Sequence, residues 1–409
     1  MTTPAETETR QTSRGIFARV PRSVVLLIVV LGINGFAFGF LMIYIAAYLP
    51  QFGVSASTVG LIIGAEGLSM AGFAIPFGIL SDRRGRKSLL VLGSLGAAPI
   101  FFVFALTTNV TAMVAAGALG GICEGTYLAT VNATIADQTA QENRNAAFTL
   151  SFIIGGAGGS IGTAFPLFGP SLSGTLRIGG ETLNSDLLFL LGVTSVALAL
   201  VLYEILRGVH ENIKTGGAPW RGPSTKRLLK FSGINSLIGL GAGFIIPLIP
   251  TWLFLKFAVP ATYSGPLLAL AGATIGLAAL FSPRLAARFG LVKAVVLAQG
   301  LSLFFMLALA LEGNVFAAAA IYVVRTVLMN MSQPLMDSYL MGIVVPEQRG
   351  FASSVNSVIW RIPNSVTTIV GGALLASGNF VLPFILAGGF YAVSLSLFYP
   401  TFRNVKPES

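Results

Sequence analysis

Twelve long apolar stretches follow one another along this chain, separated by short polar gaps. They lie at 23–50, 57–80, 88–107, 111–137, 146–169, 185–206, 231–256, 263–283, 291–311, 315–344, 351–377 and 380–401. A helix needs about 20 mostly apolar residues to cross the hydrocarbon core of a bilayer. Backbone amides find no water there, so a spanning segment must satisfy its own hydrogen bonds, as a helix does. Barrel strands alternate polar and apolar residues over about 10 positions, and these runs do not. The pattern predicts an all-α integral membrane protein with twelve transmembrane helices. Only 10% of the 409 residues are charged and 54% are hydrophobic, against roughly 25% charged in a soluble chain. That excludes an ordinary soluble enzyme, a disordered chain and a disulfide scaffold. Cys123 and His210 each stand alone, so neither a disulfide nor a Cys/His metal centre is expected. No cofactor is expected either.

The basic residues set the orientation. With the N-terminus inside, 21 of the 25 Lys and Arg residues fall on inner segments, among them Arg83, Arg84, Arg86 and Lys87 and six between Arg207 and Lys230. Arg177 alone lies in an outer loop, and Lys256 sits near an outer helix end. The positive-inside rule then places both termini in the cytoplasm, and an even number of spans requires them on one side. The net charge of +10 is accounted for as topology, and the expected partner is the bilayer rather than a nucleic acid. Met1 to Arg22 lacks the short apolar core and small-residue cleavage site of a signal peptide, and reads as a tail.

The chain also repeats. Phe52 to Gly60 aligns with Phe257 to Gly265, Arg83-Arg-Gly85 with Arg288-Phe-Gly290, and Glu142-Asn-Arg144 with Glu347-Gln-Arg349, all at one spacing of 205 residues. Gly32-Ile-Asn34 matches Gly233-Ile-Asn235 at 201. The division that follows is a tail (1–22), an N-terminal six-helix bundle (23–206), a linker (207–230), a C-terminal six-helix bundle (231–401) and a short tail (402–409). Parallel half-repeats around a midplane site are a transporter design.

Between the second and third runs stands Gly78-Ile-Leu-Ser-Asp82-Arg83-Arg84-Gly85-Arg86-Lys87. This loop, in this place within a twelve-span frame, resembles the signature loop of the major facilitator superfamily, and the resemblance extends from about Ser23 to Phe402. The second copy, Pro283 to Gly290, has Ala287 where the acid would be. The resemblance implies two pseudo-symmetric bundles around a cavity lined by spans one, four, seven and ten. It also implies a latch at Asp82 that joins the halves when the site opens outward, with Arg83, Arg86, Lys87, Glu142, Arg144, Glu347 and Arg349 as candidates for the gating network. Gly85 permits the tight turn, and a carboxylate at Asp82 is stabilised by the N-terminal end of span eleven. Span five is rich in glycine, as in the exporters of the family. Three departures stand against the drug-exporter pattern: the Gly-Pro pair of span five stands only at its end, as Gly169-Pro170, Gly121 occupies the place of an arginine in span four, and span one carries no acid.

Charges at mid-membrane cost at least ~2.5–3.5 kcal/mol by insertion scales, so each needs a reason. Glu124 is the candidate proton carrier, with Tyr127 on the same face at i+3. Arg325, followed by Ser332 with Gln333 beside it, is expected either to bind an anionic group of the substrate or to pair with Glu124 in one conformation. Glu66 and Arg361 are the candidate pair between the bundles. Asn34, Asn235 and Asp337 are further cavity candidates. The leading expectation is a monomeric, proton-coupled secondary transporter of the cell membrane that exports a small organic solute. The alternatives are a proton symporter or uniporter of an anionic metabolite, a lipid flippase, and a membrane sensor built on the same scaffold. No Gly-Lys-Ser/Thr phosphate loop is present to support ATP drive, and an enzyme is not expected.

Overall fold

The computed structural model describes residues 20–169, 183–207, 224–345 and 348–404, and among these the backbone is helical, with no strand. The helices are α1 (Arg22–Gln51), α2 (Ala56–Arg84), α3 (Lys87–Leu106), α4 (Val110–Gln138), α5 (Arg144–Ala164) and α6 (Leu183–Arg207). The second half supplies α7 (Thr225–Phe257), α8 (Ala261–Phe289), α9 (Leu291–Leu311), α10 (Val315–Gly342), α11 (Arg349–Ala376) and α12 (Leu382–Phe402). Eleven described helices are long and apolar enough to cross a membrane, and α8, with 29 residues, fills the place of the remaining expected span. Helix α7 begins at Thr225, earlier than the apolar run, and carries Lys226, Arg227 and Lys230 in its first two turns. Long basic side chains at a helix end reach back to the headgroups and tolerate such an extension.

Local chemistry repeats with the 205-residue spacing. Asn109 Oδ1 accepts from Ala112 N at the start of α4, and Asn314 Oδ1 caps α10 through Phe316 N and Ala317 N. Such caps satisfy amides that have no partner inside the helix. Gly85 and Gly290 both hold positive φ, at 95° and 80°. Gly53 holds φ 85°, and its counterpart Ala258, at φ 56°, is the sole described non-glycine residue with positive φ. Arg144 Nε donates to Ala136 O at 3.0 Å, and Arg349 Nε donates to Met341 O at 3.1 Å. Each of these arginines closes the C-terminal end of the preceding long helix.

The two halves meet along α2–α11 and α5–α8, which are exchanged by the repeat. They also meet on the pseudo-twofold itself, where Thr251 Oγ1 of α7 donates to Ala46 O of α1 at 2.5 Å, two positions 205 apart. Glycines carry the α2–α11 contact: a Cβ on Gly60 would lie 2.7 Å from Thr368 O, and one on Gly64 would lie 2.8 Å from Ser365 O. Further along α2, a Cβ on Gly72 or Gly78 would meet nothing within 4 Å. The apolar cores follow the same division. One buried cluster draws on both halves at the ends away from the basic loops, including Tyr44, Tyr48, Leu248, Trp252 and Leu253. Toward the basic loops the core splits in two, one cluster around Leu27, Leu90 and Val131 and the other around Phe231, Tyr339 and Phe398. The halves are therefore sealed together at one end and packed separately at the other.

Candidate functional site

Glu66 of α2 and Glu124 of α4 come together because α4 is smooth where α2 crosses it. A Cβ on Gly117 would lie 2.9 Å from Ile62 O, and one on Gly121 would strike Glu66 O itself. Ser69 Oγ fastens the same crossing by donating to Ala118 O at 2.7 Å. The two carboxyl groups are hydrogen-bonding neighbours, and the Arg361 guanidinium of α11 acts electrostatically on both. The ion pairs shown among the described residues are Arg86–Asp137 and Arg207–Glu204, so Arg361 faces the acids without closing a direct pair to Glu66. Sequence reasoning missed the Glu66–Glu124 contact. Its signal was present in Gly117, Gly121 and Gly125, a stripe at four-residue spacing beside Glu124 that lets another helix approach closely.

Tyr127 lies one turn from Glu124, and its hydroxyl faces the Asn34 amide of α1. Both residues are buried, yet neither Asn34 Nδ2 nor Tyr127 Oη completes a hydrogen bond of normal geometry. Asn235, the counterpart of Asn34, does find a partner: its Nδ2 donates to Asn356 Oδ1 of α11 at 3.3 Å.

In the second half the candidate residues of α10 are held within their own bundle or exposed. Arg325 is only 4% exposed and turns toward α12, donating from Nη2 to Tyr391 Oη at 2.9 Å, with its guanidinium 5.9 Å from the Tyr391 ring. It does not pair with Glu124 in this structure, because its guanidinium is held by Tyr391 within its own bundle. Ser332 is likewise fully buried, accepting from Gln299 Nε2 at 3.1 Å and donating to Met329 O at 2.7 Å. That places it against α9. Gln333 and Asp337, one turn apart on α10, are exposed, as is Asn132, the counterpart of Asp337 on α4.

The signature loop is partly visible. Helix α2 runs through Asp82 and Arg83 to Arg84 before Gly85 turns the chain. The side chains of Asp82 and Arg83 lie outside the described residues, as does Glu347. Arg86 pairs with Asp137 at the end of α4 and also donates to Ala133 O at 3.2 Å, so it ties α3 to α4 within one bundle. Asp137 was not singled out from the sequence. Lys87 opens α3, and Glu142 is exposed in the short turn Gln141–Asn143.

The family model described as Major Facilitator Superfamily matches residues 27–233 and 231–409. The chain is 35% identical over 151 residues to the inner membrane transport protein YajR of Escherichia coli, covering 36% of this chain and 31% of that protein. Thus the chain matches about a third of the length of that relative. Multidrug resistance protein MdtG of Proteus mirabilis is 24% identical over 396 residues, covering 91% of this chain and 94% of its own. Quinolone resistance protein NorA of Staphylococcus aureus is 23% identical, with 82% and 85% covered. Among solved structures, a bacterial homologue of the human lysosomal transporter Spinster, inward-facing and occupied, superposes with TM-score 0.74 at 15% identity, covering 93% of this chain and 96% of that one. The nucleoside transporter NupG does so with TM-score 0.72 at 15% identity, covering 94% and 100%. These relatives are transporters, not enzymes. With its helical fold, its two repeated halves and a family match spanning nearly its whole length, this multi-pass membrane protein belongs to the major facilitator superfamily.

Proposed function

We propose that this chain is a proton-coupled secondary transporter that exports amphipathic organic solutes by alternating access, with both termini cytoplasmic. The observation that carries the reading is a carboxyl pair, Glu66 and Glu124, in one half facing the guanidinium of Arg361 from the other. Two carboxyl groups share a hydrogen bond only when one of them holds a proton, because an ionised carboxylate can only accept. Releasing that proton leaves additional negative charge opposite Arg361. Opposite charges more than about 4 Å apart interact by less than about 4 kcal/mol at an effective dielectric near 20. A bias of about 5.5 kcal/mol carries a two-state population from 1:99 to 99:1. Proton occupancy thus supplies part of the bias that tilts the balance between conformers. Arg361 rides on α11 and the acids on α2 and α4, so the balance it tilts is the position of one half against the other.

The split core near the basic loops and the single core at the outer ends support a resting state open to the cytoplasm. Export of amphipathic solutes is supported by the resistance proteins among the relatives. The test is flux of a fluorescent amphipathic cation, ethidium, in reconstituted vesicles under an imposed pH gradient. Wild type is expected to move the dye against its gradient, and Glu124→Gln to abolish that movement. Gradient-driven flux that survives the substitution removes Glu124 as the proton carrier.

A further inference from the structure

We infer that Asn34 and Tyr127 hold a buried water that relays the proton between Glu124 and the opening of the N-terminal half; this rests on the reading of Glu66 and Glu124 as the proton site. Asn34 is 5% exposed and Tyr127 6% exposed, and both Asn34 Nδ2 and Tyr127 Oη lack a hydrogen-bond partner. A buried polar group left unsatisfied carries its whole desolvation penalty, and buried water is the usual remedy where two or more such groups converge. Here they do converge, the hydroxyl facing the amide. They do so one helical turn from Glu124, on the side of α4 that leads toward Gln138 and the basic loops.

The other half shows that this is no general feature of the fold. Asn235 is bonded to Asn356, and Ser332, the counterpart of Tyr127, is bonded to Gln299 and Met329. The position equivalent to Glu124 is Met329, so the satisfied site adjoins no acid. The unsatisfied pair occurs in the half that has a carboxyl group to serve.

The transfer conserves protons. Glu124 gives its carboxyl proton to the water, the water passes one of its own to Tyr127 Oη, and the original hydroxyl proton leaves toward the open end. Nothing is oxidised or reduced. Around this path the ionisable groups are Glu66 from α2, Arg361 from α11 and, on α4 itself, the buried Cys123 beside Glu124 and Asp137 at the exit, where it is paired with Arg86. The parts of α1, α3 and α5 that pack beside it, Ser23 to Ile43, Ser88 to Leu106 and Asn145 to Ala164, contain no acidic or basic side chain. No other such group intercepts the proton from those helices.

The experiment is infrared difference spectroscopy on the full-length protein in lipid, which needs no substrate. The protonated-carboxyl C=O band is assigned by its loss in Glu66→Gln and Glu124→Gln, and its shift is then timed after exchange into D2O. Tyr127→Phe removes only the hydroxyl and is expected to slow the shift by about tenfold or more. Asn34→Leu should act in the same direction, while Asn235→Leu leaves the rate unchanged. A wild-type exchange rate in Tyr127→Phe and Asn34→Leu overturns the relay and leaves the proton site standing. If neither Glu→Gln variant removes a carboxyl band, the proton-site reading itself fails, and the relay with it.

Discussion

The N-terminal and C-terminal halves share a scaffold and differ in where they put charge. Helix caps, glycine turns and arginine closures recur 205 residues apart, with Asn109 and Asn314, Gly85 and Gly290, and Arg144 and Arg349 in matched roles. The four charges deepest in the helices do not recur. Glu66 matches Ala271, Glu124 matches Met329, Arg325 matches Gly120 and Arg361 matches Gly156. The first half is the acidic one, with its carboxyl pair and an unsatisfied amide and hydroxyl beside it. In the second half Arg325 is bound to Tyr391, and Asn235 and Ser332 are bonded to their neighbours. Duplication has preserved what makes a six-helix bundle fold. Divergence has changed the residues that make the two bundles electrically different, which is what the proposed proton-driven mechanism needs.

The comparison breaks most severely at the crossing that unites the acids. Gly121→Leu drives a side chain into the Glu66 carbonyl, and overpacking of this kind costs about 1–3 kcal/mol or more. A large fall in the thermal unfolding temperature of the purified protein is expected. Gly78→Ala, on the same α2 but in open space, should leave that temperature no lower, since alanine is the better helix former.

A smaller effect sharpens the view of the cationic half. Tyr391→Phe removes the acceptor of Arg325 Nη2. A charged donor left without its partner costs roughly 1–3 kcal/mol. The folded state should therefore be destabilised, while proton exchange at Glu124 keeps its wild-type rate. A slowed exchange would mean that the two halves are coupled through Arg325 after all.

The smallest effect tests the duplication itself. Ala258 sits in the left-handed region where the first half has Gly53, at a cost of roughly 1–2 kcal/mol for an L-residue. Ala258→Gly should stabilise by about 1 kcal/mol or less, since glycine also gains entropy in the unfolded chain. Gly53→Ala should destabilise. Calorimetry on the two variants would show opposite signs, and equal signs would mean that the two turns are not equivalent.

Much of the architecture was legible in the residues alone. The apolar runs predicted the helices to within a few positions, because nothing else satisfies a backbone in lipid, and the offset of 205 survives in caps and turns that can be recognised by type. The site was less legible. Glu124 and Tyr127 share a face by helical periodicity, and α4 is continuous through both. The partner of Glu124 could not be read, since Arg325 lies at a matched depth while Glu66 is what the glycines of α4 admit. Arg325 and Ser332 follow one another on a plausible cavity stripe, yet the packing of α12 and α9 claims both.

Sequence by itself thus determined the membrane class, the two halves and the inventory of charges, because hydrophobic length, charge placement and repetition are properties of the chain. Tertiary structure alone decided which helices touch, and with that which charges meet. Helix periodicity fixes the direction of a side chain around its own axis, but the neighbour it finds depends on how closely two helices can approach, and at Gly121 that was set by the absence of a single carbon atom.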